Sequence, residues 1–160
     1  MLVAGVPPAN VHAPRMTHAL ADGSGLDGAV SAYDAELRSA GLAMFDDGVP
    51  AFDVVLLGVG PDGHVLSVFP NSALLDDGEA WVAAIPAPTH VEPHVPRLSL
   101  TPRIIEAAGQ VLVVSHGSGK AAILASVFGA ERDEHRWPAQ LARRENATWF
   151  LDRAAAAQLP

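Results

Sequence analysis

Cysteine is absent from all 160 residues, which excludes disulfides, thiolate metal sites and a cysteine nucleophile together. A metal would have to be held by histidine and carboxylate, and no spacing of those residues points to a metal site. Long apolar runs are also missing: none approaches the roughly 20 residues that a membrane span requires, so no membrane partner is expected. Cations are scarce, ten Lys and Arg against eighteen Asp and Glu. Lys120 is the single lysine, and no cation stands between Arg38 and Arg97. The formal net charge of -8 repels polyanions, which argues against nucleic acid as a partner. An anionic small molecule remains admissible where the few cations gather. The opening, Met1 to Asn10, has no basic segment followed by an apolar one, so a cytoplasmic location is expected.

What is present reads as one α/β domain over residues 1–160. The spacing of Val30, Tyr33 and Leu37 among polar residues predicts a helix from Gly28 to Ala40, stopped at Gly41. Phe52 to Gly58 is a nearly continuous apolar run with β-branched content, the pattern of a parallel strand buried on both faces. A glycine-rich turn over Gly58–Gly63 follows, then a short helical segment from His64 to Phe69 that Pro70 stops. Trp81 to Ile85 reads as a strand, and Pro86 to Pro96, with four prolines, as an extended loop. A short helix is expected from Thr101 or Pro102 to Ala108, a strand at Val111–Val114, and a helix from Lys120 to Phe128. Pro138 opens a further helix, Thr148–Leu151 forms a strand, and Asp152 caps a final alanine-rich helix. This alternation predicts a Rossmann-like, mostly parallel sheet with helices on both faces.

In such a sheet ligands bind where the loops leave the carboxyl ends of the strands. Three segments of interest fall there: Gly58 to His64, the loop holding Arg97, and Gly117 to Lys120. Gly58, Gly60 and Gly63 match the G-x-G-x-x-G dinucleotide fingerprint literally. Pro70, however, cuts short the helix that fingerprint needs, and no acidic residue ends a second strand at the expected distance, so no cofactor is expected. The same turn sets Asp62 and His64 two residues apart beside closely spaced amides. An imidazole can take a proton from water near neutrality, a carboxylate can orient it, and amides can receive an oxyanion. In an isolated D-G-H these would be ordinary turn residues. His90 and His94 stand four apart, but Pro93 prevents a shared helical face, so a solvated loop is expected. His12, His18, His116 and His135 have no spacing that suggests a role.

The motif is longer than D-G-H. FDVVLLGVGPDGHVLSVFP over residues 52–70, PRLSLT over 96–101, GSGKA over 117–121 and TWFLDRAA over 148–155 together resemble the signature blocks of the 6-phosphogluconolactonases, in family order and spacing. The resemblance implies a sugar-phosphate-isomerase-type fold and hydrolysis of 6-phospho-D-glucono-1,5-lactone to 6-phosphogluconate. It places the general base at His64, supported by Asp62, and puts Arg97 and Lys120 near the substrate phosphate. Gly58, Gly60, Gly63 and Ser67 are expected to touch substrate, Ser67 as a polar residue at a helix N-terminus. Family members begin with a strand, a phosphate loop and a helix that have no counterpart here, so the first third of the pattern is expected to be missing. That would leave apolar sheet surface uncovered. Two other readings stay open. One is a glucosamine-6-phosphate deaminase or isomerase, which shares the fold but has a further glutamate after the turn where this chain has Val65 to Pro70. The other is a sugar-phosphate-binding domain without turnover.

Overall fold

The computed structural model describes residues 5–45 and 48–160, and of His18 and Leu20 the backbone alone. The first residues of the opening segment and the His18 ring lie outside the described residues. The chain runs through α1 (Met16–Ala21), α2 (Gly25–Ser39), β1 (Val54–Gly58), β2 (Val82–Ile85), β3 (Arg97–Leu100), α3 (Pro102–Glu106), β4 (Gln110–Ser115), α4 (Ala121–Phe128) and β5 (Ala147–Leu151). Strands β1, β4 and β5 form a parallel sheet in the order β1-β4-β5, with Val55 beside Val111 and Val111 beside Ala147. Strands β2 and β3 form a separate antiparallel pair in which Ile85 stands opposite Arg97.

Alternation along the strands decides which face is covered. Val55, Leu57, Val111 and Val113 point into the core, where they join Ile104 and Ile105 of α3, Val127 of α4 and Leu141. Ile104 and Ile105 are completely buried, and each such side chain contributes about 1.5–3 kcal/mol relative to exposure. The opposite face carries Val54, Leu56, Val114 and Phe150, with Leu56 69% exposed. The expectation of a parallel α/β sheet is met. The expectation of cover on both faces is met on one face only.

Helix α2 packs on the β2–β3 pair, where the Arg38 guanidinium lies 3.8 Å from the ring centroid of Trp81. Behind β5, the Trp149 indole stacks edge-on against Phe128 at 4.7 Å and donates to the Ala142 carbonyl. The helix expected after Pro138 is a 3-10 helix, Pro138–Ala142. Its fully buried Gln140 donates to the carbonyls of Val127 and Glu131 and accepts from the Asp133 N–H, so the side chain satisfies backbone groups that a longer α-helix would pair within itself.

Three further expectations are corrected. Residues 64–69 form a tight turn closed by a Val65–Val68 bridge, with both valines fully buried and Leu66 at φ +56°. Burying two β-branched side chains across a four-residue turn outweighs helix formation there. Arg97 to Leu100 is a strand instead of the continuation of a loop. The segment after Asp152 is a run of turns in which the Asp152 carboxylate accepts from the N–H groups of Ala155 and Gly117. Those two donors hold the Asp152 carboxyl below its ordinary range and tie the end of β5 to the turn leaving β4.

Candidate active site

Strand β1 ends at Gly58, and the turn that follows is folded back on itself. The Gly60 N–H donates to the His64 carbonyl at 2.8 Å, and the Gly63 N–H donates to the Gly60 carbonyl at 3.1 Å. Gly63 has φ +87°, and a Cβ there would meet Ile123 at 3.2 Å, so both conformation and space favour glycine. Its carbonyl accepts from the Ala139 N–H, fastening the turn to the 3-10 helix. The turn therefore cannot drift relative to the core.

On this base the Asp62 carboxylate grips His64: Oδ1 lies 2.6 Å from the ring Nδ1 and 3.2 Å from the backbone nitrogen. Both side chains are largely buried, 13% exposed for His64 and 18% for Asp62. Burial raises the Asp62 carboxyl, but hydrogen bonds from the His64 and His90 rings and from the His64 N–H outweigh it and hold the group below its ordinary range. Asp62 is thus ionised at neutral pH and can only accept. The neutral His64 ring must carry its proton on Nδ1, which leaves the Nε2 lone pair as the acceptor.

Gly60 lies against the ring. A Cβ at this position would sit 2.1 Å from His64 Nδ1, a separation no side chain tolerates. Gly60→Ala is therefore expected to break the Nδ1–Asp62 bond, read as loss of the His64 Nδ1–H proton resonance in a chain that still folds. Retention of that resonance would show that the turn has room to spare.

The cleft at the carboxyl end of β1 has a volume of about 520 Å³, within the roughly 300–1,000 Å³ of small-molecule sites. Its wall includes Gly58, Gly60, His64, Leu66 and Arg97, together with Glu92 and Pro93 of the proline-rich loop. Arg97 is the first residue of β3, and its guanidinium lies 5.3 Å from the Phe69 centroid and donates to the Pro93 carbonyl. Strand β3 also braces the turn, since Ser99 Oγ accepts from the Ser67 N–H at 3.0 Å.

The structure thus brings His64, Asp62, Arg97, Gly58 and Gly60 together. It does not bring every expected residue to the wall. Ser67 is buried behind it, in the turn and not at a helix N-terminus. Gly63 packs inward on Ile123. The Lys120 ammonium donates to the Val59 carbonyl at 2.7 Å, so it braces the start of the turn. The amides of Gly60, Gly63 and His64 are engaged within the turn, which corrects the expectation that they receive an oxyanion. His90 stands on an exposed loop, as expected, and its ring makes a contact that was not expected: Nε2 lies 2.9 Å from Asp62 Oδ2. The signal for that contact, a histidine 28 residues from its partner, is not local and cannot be read from spacing.

A buttressed imidazole and an arginine converging beyond the carboxyl end of a parallel strand define an α/β protein with a small-molecule cleft. More specifically, the chain belongs to the family described as glucosamine-6-phosphate isomerases/6-phosphogluconolactonase, which its residues 1–150 match. It is 40% identical over 156 residues to 6-phosphogluconolactonase of Streptomyces coelicolor, covering 92% of this chain and 58% of that one. It is 40% identical over 126 residues to 6-phosphogluconolactonase of Homo sapiens, covering 78% and 46%. A solved structure of 6-phosphogluconolactonase from Trypanosoma brucei superposes with a TM-score of 0.71 at 28% identity, covering 98% of this chain and 59% of that one. The chain spans about half the length of the curated relatives it matches.

Proposed function

We propose that this chain carries the hydrolytic site of a 6-phosphogluconolactonase, opening 6-phospho-D-glucono-1,5-lactone to 6-phosphogluconate. The observation that carries the reading is the 2.6 Å bond from His64 Nδ1 to an ionised Asp62 in a cleft that also holds Arg97. That bond leaves Nε2 as the free ring nitrogen of a side chain that lines the cleft. The relatives of that name supply the substrate.

In this mechanism Nε2 of His64 takes a proton from water as the water oxygen attacks the lactone carbonyl. The imidazolium formed is stabilised by Asp62 and is itself a cation beside the developing oxyanion. When the bond from C1 to the ring oxygen breaks, the same proton passes to the departing alkoxide, and His64 returns to its neutral form. One water is consumed and one carboxylic acid and one hydroxyl appear. A lactone carbonyl is electrophilic enough that no covalent enzyme intermediate is invoked. Arg97 holds the phosphate through its forked donors, and Lys120 adds a positive charge at the start of the turn while fixing Val59. The soluble, cytoplasmic setting of a sugar-phosphate pathway accords with this chemistry.

The test is direct. Purified chain is given fresh 6-phosphogluconolactone, and 6-phosphogluconate formation is compared with spontaneous opening, beside an ammonia-release assay with glucosamine 6-phosphate. Lactone hydrolysis above background without ammonia release is expected. Ammonia release, or substrate binding without either reaction, would contradict the proposal in favour of a deaminase or a binding domain.

A further inference from the structure

His90 lies on the proline-rich loop, and its contacts are of two different kinds. Its Nε2 meets Asp62 Oδ2 at 2.9 Å, while the other carboxylate oxygen holds His64 at 2.6 Å. Its ring also stands edge-on to Phe69 with centroids 5.5 Å apart, and Phe69 in turn packs on the His64 ring at 4.6 Å. A hydrogen bond and an aromatic contact therefore place this one side chain against both groups that bracket His64.

We infer that His90 is a positioning residue, acting on His64 through Asp62; this rests on the reading of His64 as the base. Both of the bonds that His64 makes to Asp62 fall on Oδ1, which leaves the carboxylate free to swing about that oxygen. Because an ionised carboxylate only accepts, the His90 Nε2 is the donor to Oδ2, and with donors on both oxygens the plane is fixed. The fixed plane holds His64 in the tautomer with its proton on Nδ1.

The same bond latches the loop. Val91, Glu92 and Pro93 line the cleft, and the Pro93 carbonyl accepts from Arg97, so the wall that His90 anchors continues to the arginine. The loop is braced internally by His94, whose Nδ1 donates to the Pro88 carbonyl and whose Nε2 pairs with Glu92. The His90 side chain is 53% exposed, and its removal costs the core little.

The test uses three variants of the whole chain, His90→Ala, His90→Phe and His90→Gln, with His64→Ala as a control. Phe keeps the contact with Phe69 without the hydrogen bond, and Gln keeps a donor without the ring. His90→Ala and His90→Phe are expected to lower kcat roughly three- to tenfold, as for loss of one exposed hydrogen bond, with KM little changed. His90→Gln should recover most of the loss. Nitrogen-15 spectra of the His64 ring should show a smaller Nδ1–H fraction in His90→Ala and His90→Phe and a normal one in His90→Gln. A wild-type His64 tautomer in His90→Ala, or recovery by Phe as complete as by Gln, would overturn the inference. Full turnover in His64→Ala would instead overturn the reading of His64 as the base. The tautomer measurement reads the His90 effect whatever the turnover.

Discussion

His64→Ala is expected to lower kcat for lactone opening by about 10²- to 10⁴-fold, the usual contribution of a positioned general base, with KM close to that of the parent. The side chain is only 13% exposed, but its Nδ1 is held by Asp62 and the residue lines the cleft, so the shortened side chain leaves a polar recess without disturbing the packed valines of the turn. The expected split between kcat and KM follows from geometry. Arg97, which is assigned the phosphate, starts a different strand and keeps its contacts with Phe69 and Pro93. Steady-state kinetics corrected for spontaneous opening check this outcome, and a loss confined to KM would assign His64 to binding.

Arg97→Ala is expected to give the opposite pattern, a KM raised about 10- to 100-fold and a kcat changed much less. Hydrogen bonds to a charged group contribute about 1.5–3 kcal/mol, and every 1.4 kcal/mol is tenfold in affinity. Among the described residues Arg97 is the one Lys or Arg in the cleft wall, in a chain of net charge -8, and no other described cation of that wall replaces it. Arg97→Lys should recover part of the loss, because an ammonium restores the charge but not the forked donors or the stacking on Phe69. A KM unchanged in Arg97→Ala would remove the arginine from the phosphate site.

These two expectations rest on residues of very different legibility. Asp62, His64 and the turn around them were readable because the motif is local and sits directly after the most strongly patterned strand, β1. Strands β4 and β5 and helices α2, α3 and α4 were readable for the same reason, since each carries its own periodicity or its own stop signal. Strand β3 was not. Its four residues acquire strand geometry from pairing with β2, and Leu98 and Leu100 amid polar neighbours are too short a pattern to announce it. That strand is what delivers Arg97 to the cleft and Ser99 to the turn. Helix α1, a six-residue element, was likewise too short to stand out from its surroundings.

The segment from His64 to Phe69 misled in an instructive way. Pro70 marks an end to regular structure, and a helix is the ordinary expectation for a polar start after a glycine turn. Complete burial of Val65 and Val68 instead bends the chain and carries Leu66 to a positive φ, at a cost of about 1–3 kcal/mol borne by the surrounding packing. Leu66 thereby enters the cleft wall beside His64. His90 belongs to the same class: its meaning is set by a partner 28 residues away, and only the folded loop reveals it.

One bound molecule is expected to meet His64 at its reacting end and Arg97 at its phosphate. A crystal structure of the chain soaked with 6-phosphogluconate tests this most directly. The product carboxylate is expected within about 2.6–3.2 Å of His64 Nε2, with the phosphate on the Arg97 guanidinium. A product bound with its carboxylate away from His64, or outside the cleft at the end of β1, would contradict it.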